Sequence, residues 1–112
     1  MKHTGSCHCG NVRFEVETDI DKVMECNCSH CHKKGFLMHF ADKAGFKLTS
    51  GEDNLTEYHF NKGAIHHKFC KTCGVEAFSD SDAFPQMMIN ARCIDGLDTD
   101  ALPKEKFNGK DY

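Results

Sequence analysis

The cysteines of this chain fall into short motifs whose spacings are typical of metal ligands. Seven of the eight lie in three such motifs, which are Cys7-x-Cys9, Cys26-x-Cys28-x-x-Cys31 and Cys70-x-x-Cys73. Thiolates are soft ligands that suit zinc, and a pair of cysteines at a tight turn aims two sulfurs at one ion. The motifs therefore predict metal binding, with zinc as the expected ion and two ions per chain.

A secreted, disulfide-linked domain is the opposing interpretation of so many cysteines. The first residues of the chain lack the apolar stretch of a secretory signal. Disulfides are rare in the cytosol, so metal ligation explains the cysteine density better there. We therefore expect a cytoplasmic protein. The sequence has no apolar run long enough to cross a bilayer, and no membrane association is expected.

The segment Cys70-Lys71-Thr72-Cys73-Gly74 has the spacing and the trailing glycine of a zinc knuckle. A structural zinc site needs four ligands, so a second pair must come from elsewhere in the chain. Cys7 and Cys9, expected at the tip of an N-terminal hairpin, supply such a pair. These four cysteines predict a closed, structural zinc site.

Cys26, Cys28 and Cys31 make up the remaining cluster. Three protein ligands with an open position are typical of a catalytic zinc, whose vacant position takes water or substrate. The alternative is a second structural site that is closed by a further ligand, for which the candidates are Cys93, His30, His32 or a distant histidine. Cys93 is otherwise most simply a small buried residue.

An open three-thiolate site favours thiol chemistry over water activation. Three thiolates give a divalent ion a net negative charge, which weakens its effect on bound water. A thiol that binds such an ion loses its proton and is held as a thiolate for reaction with an electrophile. We therefore expect a small thiol as the partner of this site.

Histidines and cations are the remaining candidates. His66 and His67 are neighbours in a predicted strand, so one is expected to face inward and the other solvent. His30 or His66 could exchange a proton with a substrate. The cations that could bind substrate carboxylates are Lys33, Lys34 and Arg92.

The charge balance argues against nucleic-acid binding. The chain has 17 acidic and 14 basic residues, a formal net charge of -3. Its arginines are only Arg13 and Arg92, and no basic stripe is evident in the sequence.

Short strands must position the cysteines. Val12, Phe14 and Val16 alternate with charged residues, which predicts a half-buried strand over 11–18. Further strands are expected at 23–26, 36–41, 46–49, 55–60, 64–69, 75–79 and 87–91, and the polar end of the chain is expected to lie as an arm on the sheet. One helical turn is predicted over residues 29–34, with Ser29 as its cap and Gly35 at its end. The chain, at 112 residues, is expected to be one mostly β domain, 1–112.

Three segments resemble a known family. They are residues 5–14 (GSCHCGNVRF), 26–31 (CNCSHC) and 69–74 (FCKTCG). In order and flanking residues they are similar to the glutathione-dependent formaldehyde-activating enzymes, a family that also includes centromere protein V. The resemblance extends from the N-terminus to residues 107–110.

The resemblance implies a fold, two metal sites and a reaction. The fold is a β-tent of small antiparallel sheets, with little helix. The metal sites are a structural zinc on Cys7, Cys9, Cys70 and Cys73 and a catalytic zinc on Cys26, Cys28 and Cys31. The reaction joins formaldehyde to glutathione as S-hydroxymethylglutathione, which is carbon-sulfur lyase chemistry in reverse. The rival hypothesis is a non-catalytic zinc module, in which both ions are structural and the sheet binds a protein partner.

Overall fold

The fold of the protein is mostly β, as the sequence predicts. The computed structural model describes residues 1–59, 63, 65–83 and 85–108. Within them lie a single α-helix, α1 (Ser29–Lys34), and the strands β1 (Lys2–Ser6), β2 (Arg13–Glu17), β3 (Val23–Cys26), β4 (Leu37–Asp42), β5 (Phe46–Ser50), β6 (Leu55–Tyr58), β7 (Ile65–Cys70), β8 (Phe78–Ser81), β9 (Gln86–Asn90) and β10 (Lys104–Phe107). Phe60 and Ala64, at the ends of two predicted strands, lie outside the described residues.

The strands form two sheets. One has three strands in the order β1-β2-β5, and the other has seven in the order β10-β3-β4-β9-β8-β7-β6. The strand pairs are antiparallel, except that β10 pairs with β3 in parallel. The chain end predicted as an arm is therefore an edge strand over Lys104–Phe107, while its residues 109–112 lie outside the described residues. The last residue of β10, Phe107, pairs with Cys26 of β3.

The hydrophobic core lies between the two sheets. Phe14 and Val16 of β2 are buried, whereas Arg13 and Glu17 are exposed, which confirms the predicted alternation. The Phe14 ring stacks on Phe46 of β5 at 5.6 Å between ring centroids. It also meets Phe78 of β8 edge-on at 6.3 Å. Burying each such side chain contributes about 1.5–3 kcal/mol, so this aromatic group holds the sheets together.

Helix α1 connects β3 to β4 and carries part of the second cysteine motif. Gly35 ends it in the left-handed conformation (φ 69°), as predicted. The prediction that Ser29 caps the helix is wrong. The cap is Cys28, whose sulfur accepts a hydrogen bond from the backbone amide of Cys31. Across the described ranges, no helix is both long and apolar enough to cross a membrane.

The strand predicted over 75–79 starts three residues later, at Phe78. Val75 cannot join the ladder because its carbonyl accepts the Cys70 amide and so closes the knuckle turn (3.1 Å). The carbonyl of Ala77 accepts a hydrogen bond from the backbone amide of Asn90 at 2.9 Å. The residue between them, Glu76, is thereby placed at the junction of the knuckle and the sheet.

Candidate functional site

The first cysteine cluster joins two turns that are distant in sequence. Cys7 and Cys9 lie in the turn between β1 and β2, while Cys70 ends β7 and Cys73 lies in the turn that follows. The sulfur of Cys9 is 3.6 Å from that of Cys7 and 3.7 Å from that of Cys70. All four sulfurs lie within 4.8 Å of one another. Four ligands about 2.3 Å from a tetrahedral zinc are about 3.8 Å apart, so this group fits that ion.

Hydrogen-bond donors surround these sulfurs. The backbone amide of Val12 points at Cys7 Sγ at 3.3 Å. Cys70 Sγ accepts from the Thr72 amide at 3.4 Å and from the Asn54 side chain at 3.3 Å. Such donors stabilise sulfur in its thiolate form, the form that binds metal. Nothing in the sequence around Asn54 indicated this role.

The knuckle turn itself favours ionised sulfur. Gly74 donates its amide to the Cys70 carbonyl at 2.9 Å and has φ 80°, a left-handed conformation that favours glycine. Burial raises the pKa of the Cys73 thiol, but hydrogen bonds from the backbone amides of Val75 and Cys9 outweigh it and lower that pKa to about 6. The turn therefore favours the thiolate form of Cys73, the form that binds metal, near neutral pH.

The second cluster is local, and all three of its predicted members come together. Cys26 ends β3, Cys28 caps α1 and Cys31 lies within α1. Their sulfurs lie within 4.8 Å of one another. The Cys28 amide points at Cys26 Sγ (3.5 Å), and the Cys31 amide points at Cys28 Sγ (3.3 Å).

Ionisation of the second cluster requires a cation. The neighbouring Cys26 thiol and burial raise the pKa of Cys31 far above its ordinary value. Three sulfurs this close cannot all carry charge near neutral pH unless a positive ion is shared among them, because like charges disfavour ionisation. A bound divalent metal deprotonates coordinating thiols outright. The donor set therefore fits a soft metal ion.

In the part of the chain that the structure describes, the second cluster has three candidate ligands rather than four. Within the described residues, no further His, Cys, Asp or Glu places a ligand atom within the same 4.8 Å of all three sulfurs. Cys93 lies beside the other cluster, where burial, followed by the nearby Cys7 and Cys73, raises its pKa to about 11. His32 is exposed on α1. His30 belongs to a different group of side chains.

That group contains Glu76, His67 and His30. Glu76 Oε2 is 3.5 Å from His67 Nδ1 and accepts a 2.6 Å hydrogen bond from Ser79 Oγ. Glu76 Oε1 is 3.7 Å from His30 Nε2 and 3.5 Å from Lys34 Nζ. The rings of the two histidines are 3.9 Å apart between centroids. A buried carboxylate thus lies next to the helix that carries Cys28 and Cys31.

Glu76 is ionised although its side chain is only 2% exposed. Burial raises the pKa of Glu76, but the hydrogen bonds with His67 and Ser79 lower it by more. The pKa of Glu76 is therefore below its ordinary value. Burial, followed by the neighbouring His67, lowers the pKa of His30. The group therefore holds one negative carboxylate against Lys34 and two imidazoles.

Sequence reasoning overlooked Glu76. The available signal was an acidic residue within the apolar run Val75-Glu76-Ala77-Phe78, in a segment expected to be a strand. A carboxylate in such a place is costly unless buried partners satisfy it. The partners themselves come from α1, β7 and β8, which the sequence alone could not bring together.

The adjacent histidines of β7 face opposite ways, as predicted. His67 is buried with Glu76, whereas His66 lies between two carboxylates, its Nδ1 3.0 Å from Glu57 Oε1 and its Nε2 3.0 Å from Asp82 Oδ1. The hydrogen bond with Asp82 raises the pKa of His66 despite some desolvation. His66 therefore lies on the opposite face of β7 from His67 and from the group around Glu76.

The three candidate cations differ in their surroundings. Lys34 pairs with Glu76 and lies 5.4 Å from the centre of the Phe69 ring. Lys33 is exposed on α1, and Arg92 is exposed in the 3₁₀ turn Ala91–Cys93. Lys34 and Lys33 thus lie on the helix of the second cluster, and Arg92 is the neighbour of Cys93.

Comparisons with known proteins identify the family of this chain. Residues 2–108 match the model of the family described as glutathione-dependent formaldehyde-activating enzyme. A crystal structure of a Rhodobacter sphaeroides protein is similar to this chain, with a TM-score of 0.80 and 29% sequence identity over 90% of this chain and 98% of that chain. Because the family match spans nearly all of the sequence, the protein belongs to the glutathione-dependent formaldehyde-activating enzyme family.

Proposed function

We propose that the protein is a carbon-sulfur lyase that forms and cleaves the adduct of formaldehyde with a small thiol. Membership of the family supports formaldehyde and glutathione as the reactants. The observation that carries the proposal is the incomplete ligand set of Cys26, Cys28 and Cys31. A purely structural zinc site has four protein ligands, whereas a site with three leaves a position for an exogenous one.

The two clusters take different roles in this proposal. Cys7, Cys9, Cys70 and Cys73 hold a structural zinc that fastens the N-terminal turn to the end of β7. A zinc ion held by Cys26, Cys28 and Cys31 would supply a position at which a thiol is held as thiolate near neutral pH. Two zinc ions per chain follow.

The residues around the second cluster support access for a thiol. Cys31 is buried, but Cys26 and Cys28 are partly exposed, so part of the cluster is accessible to solvent. Lys33 and Lys34 lie on the same short helix and supply positive charge for a ligand that bears carboxylates, as glutathione does. The apolar residues that pack against the cluster, among them Phe36 and Met38, limit water around the sulfurs.

Cobalt spectroscopy tests this proposal. Cobalt(II) in place of zinc gives thiolate-to-metal charge-transfer bands, and a thiol that joins the three-cysteine site adds to them. We expect glutathione to change the spectrum of the wild type. The Cys28→Ser variant, whose four-cysteine cluster is intact, is the matched control and should not respond. An unchanged wild-type spectrum with glutathione and several other thiols would contradict the proposal and favour a non-catalytic zinc module.

A further inference from the structure

The group around Glu76 lies on the same side of β7 as the second cysteine cluster. Residues two apart on a strand share a face, so Ile65 and His67 point the same way. Ile65 packs against the hydrophobic cluster that contains Cys26, Cys28 and Cys31. His30, which lies between Cys28 and Cys31 on α1, brings its ring to 3.9 Å from that of His67. The shared face of β7 and the contact with His30 thus place His67 next to the helix that carries Cys28 and Cys31.

The contacts of Glu76 hold its carboxylate in a defined orientation towards His67. An ionised carboxylate in the interior costs several kcal/mol unless it is fully paired, and apolar residues of the same size are often as stable. Here Ser79 fixes one carboxylate oxygen at 2.6 Å, and that oxygen faces His67 Nδ1 at 3.5 Å. A carboxylate in this position selects the imidazole tautomer that carries hydrogen on Nδ1. Nε2 of His67 is then the nitrogen able to take up a proton.

We propose that Glu76 is a positioning residue that orients His67, and that His67 carries the proton exchanged between the thiol and the hydroxyl group of the adduct. This inference rests on the proposed function. In the forward direction His67 takes the thiol proton, the sulfur-carbon bond forms as the carbon-oxygen π bond opens, and the same proton passes to the oxygen. In cleavage His67 takes the hydroxyl proton, the carbon-sulfur bond breaks with its electron pair on sulfur, and the proton returns to the thiol. No further reactant is needed.

Charged and titratable groups from several elements surround His67. Glu76 precedes β8, His30 and Lys34 belong to α1, and Tyr58 of β6 has its ring centroid 6.5 Å from that of His67. Of these groups, only Glu76 places an acceptor oxygen opposite His67 Nδ1, at 3.5 Å. Replacing Glu76 by glutamine therefore removes the carboxylate that fixes the tautomer of His67.

The test compares Glu76→Gln and His67→Gln with wild type and with Glu57→Gln, a control at an exposed carboxylate on β6. We expect kcat for exchange between formaldehyde and glutathione to fall about 100-fold in His67→Gln and at least 10-fold in Glu76→Gln, with little change in the KM for glutathione. Glu57→Gln should match the wild type.

A second readout separates the inference from the proposed function and from folding. Histidine-selective ¹⁵N NMR should show hydrogen on Nδ1 of neutral His67 in wild type and a smaller Nδ1–H fraction in Glu76→Gln. If Glu76→Gln does not fold, Ser79→Ala, which removes the 2.6 Å hydrogen bond that holds the carboxylate, carries the test and should reduce kcat and the Nδ1–H fraction less strongly. Absence of acceleration by wild type would contradict the proposed function. Wild-type acceleration with unaltered kcat in folded His67→Gln would overturn the inference. An unaltered kcat and an unaltered His67 tautomer in folded Glu76→Gln would overturn the role of Glu76.

Discussion

The sulfurs of Cys9 and Cys70 lie 3.7 Å apart although the two residues are separated by 61 positions in the sequence. Cys9 follows the first strand of the three-stranded sheet, and Cys70 ends a strand of the seven-stranded sheet. A metal ion shared by this cluster therefore links the two sheets directly. For a small domain, such a link contributes a large part of the folding free energy.

Cys73→Ser and Cys28→Ser should differ in stability. Structural zinc contributes about 10–16 kcal/mol of apparent free energy in small zinc peptides, more than many whole domains possess. We expect Cys73→Ser to be largely unfolded and Cys28→Ser to melt cooperatively, because only the first cluster joins the sheets. Thermal melts by circular dichroism measure this. Equal loss of stability in the two variants would contradict the division into a structural and a reactive cluster.

Zinc content and release should reveal two different sites. We expect elemental analysis of metal-replete protein to approach two zinc ions per chain and Cys28→Ser to approach one. A mild chelator should remove zinc from the three-cysteine cluster first and leave the fold intact, because that ion has fewer protein ligands. Wild-type protein that never exceeds one zinc per chain would show this account to be wrong.

Gly74→Ala tests the knuckle, with Gly96→Ala as a matched control. Both glycines have a left-handed backbone, with φ 80° and 72°, and at both positions an added methyl group meets no atom within 4 Å. Each substitution should therefore cost about 1–2 kcal/mol of stability. Only Gly74→Ala should also speed the release of zinc from the four-cysteine cluster, as followed with a chromogenic chelator. Equal release rates from the two variants would mean that the turn does not set the ligand geometry.

The stability due to Glu76 should depend on pH. Burial raises the pKa of Glu76, but the hydrogen bonds with His67 and Ser79 lower it by more. Its pKa in the folded state is therefore below the ordinary 4.5. Ionised Glu76 therefore stabilises the fold above about pH 4.5, and this contribution is lost as the pH falls through the lowered value. We expect Glu76→Gln to be less stable than wild type by about 1–3 kcal/mol at neutral pH, and the difference to shrink towards pH 4. Thermal melts of wild type and Glu76→Gln at the same pH measure this difference in stability, since loss of metal in acid affects both proteins. A difference that grew in acid would contradict the ionised state.

Local patterns predicted the elements that local forces determine. The alternation of Phe14 and Val16 predicted β2, and Gly35 predicted the end of α1. The cysteine spacings predicted the three motifs, because ligands at a turn must be close in sequence. The need of a structural zinc for four ligands then predicted that Cys7 and Cys9 join Cys70 and Cys73. The cap of α1 was assigned to Ser29 on propensity, whereas the geometry of the cysteine cluster gives that place to Cys28.

Apart from the four-cysteine cluster, the contacts between distant segments had no local signal. The parallel pairing of β10 with β3 depends on the path of the whole chain. The group around Glu76 depends on the knuckle, which takes Val75 out of the strand predicted there and lets the neighbouring carboxylate face α1. His67 likewise could not be distinguished from His66 until the register of β7 with β8 was known.

Exchange of formaldehyde with glutathione is the most direct test of the central claim that Cys26, Cys28 and Cys31 form a reactive site. The measurement is two-dimensional ¹³C exchange NMR on labelled formaldehyde and glutathione, with and without zinc-loaded protein. The account predicts that catalytic amounts of wild type accelerate the exchange and that folded Cys28→Ser does not. Exchange at the uncatalysed rate with wild type, or equal acceleration by Cys28→Ser, would contradict it.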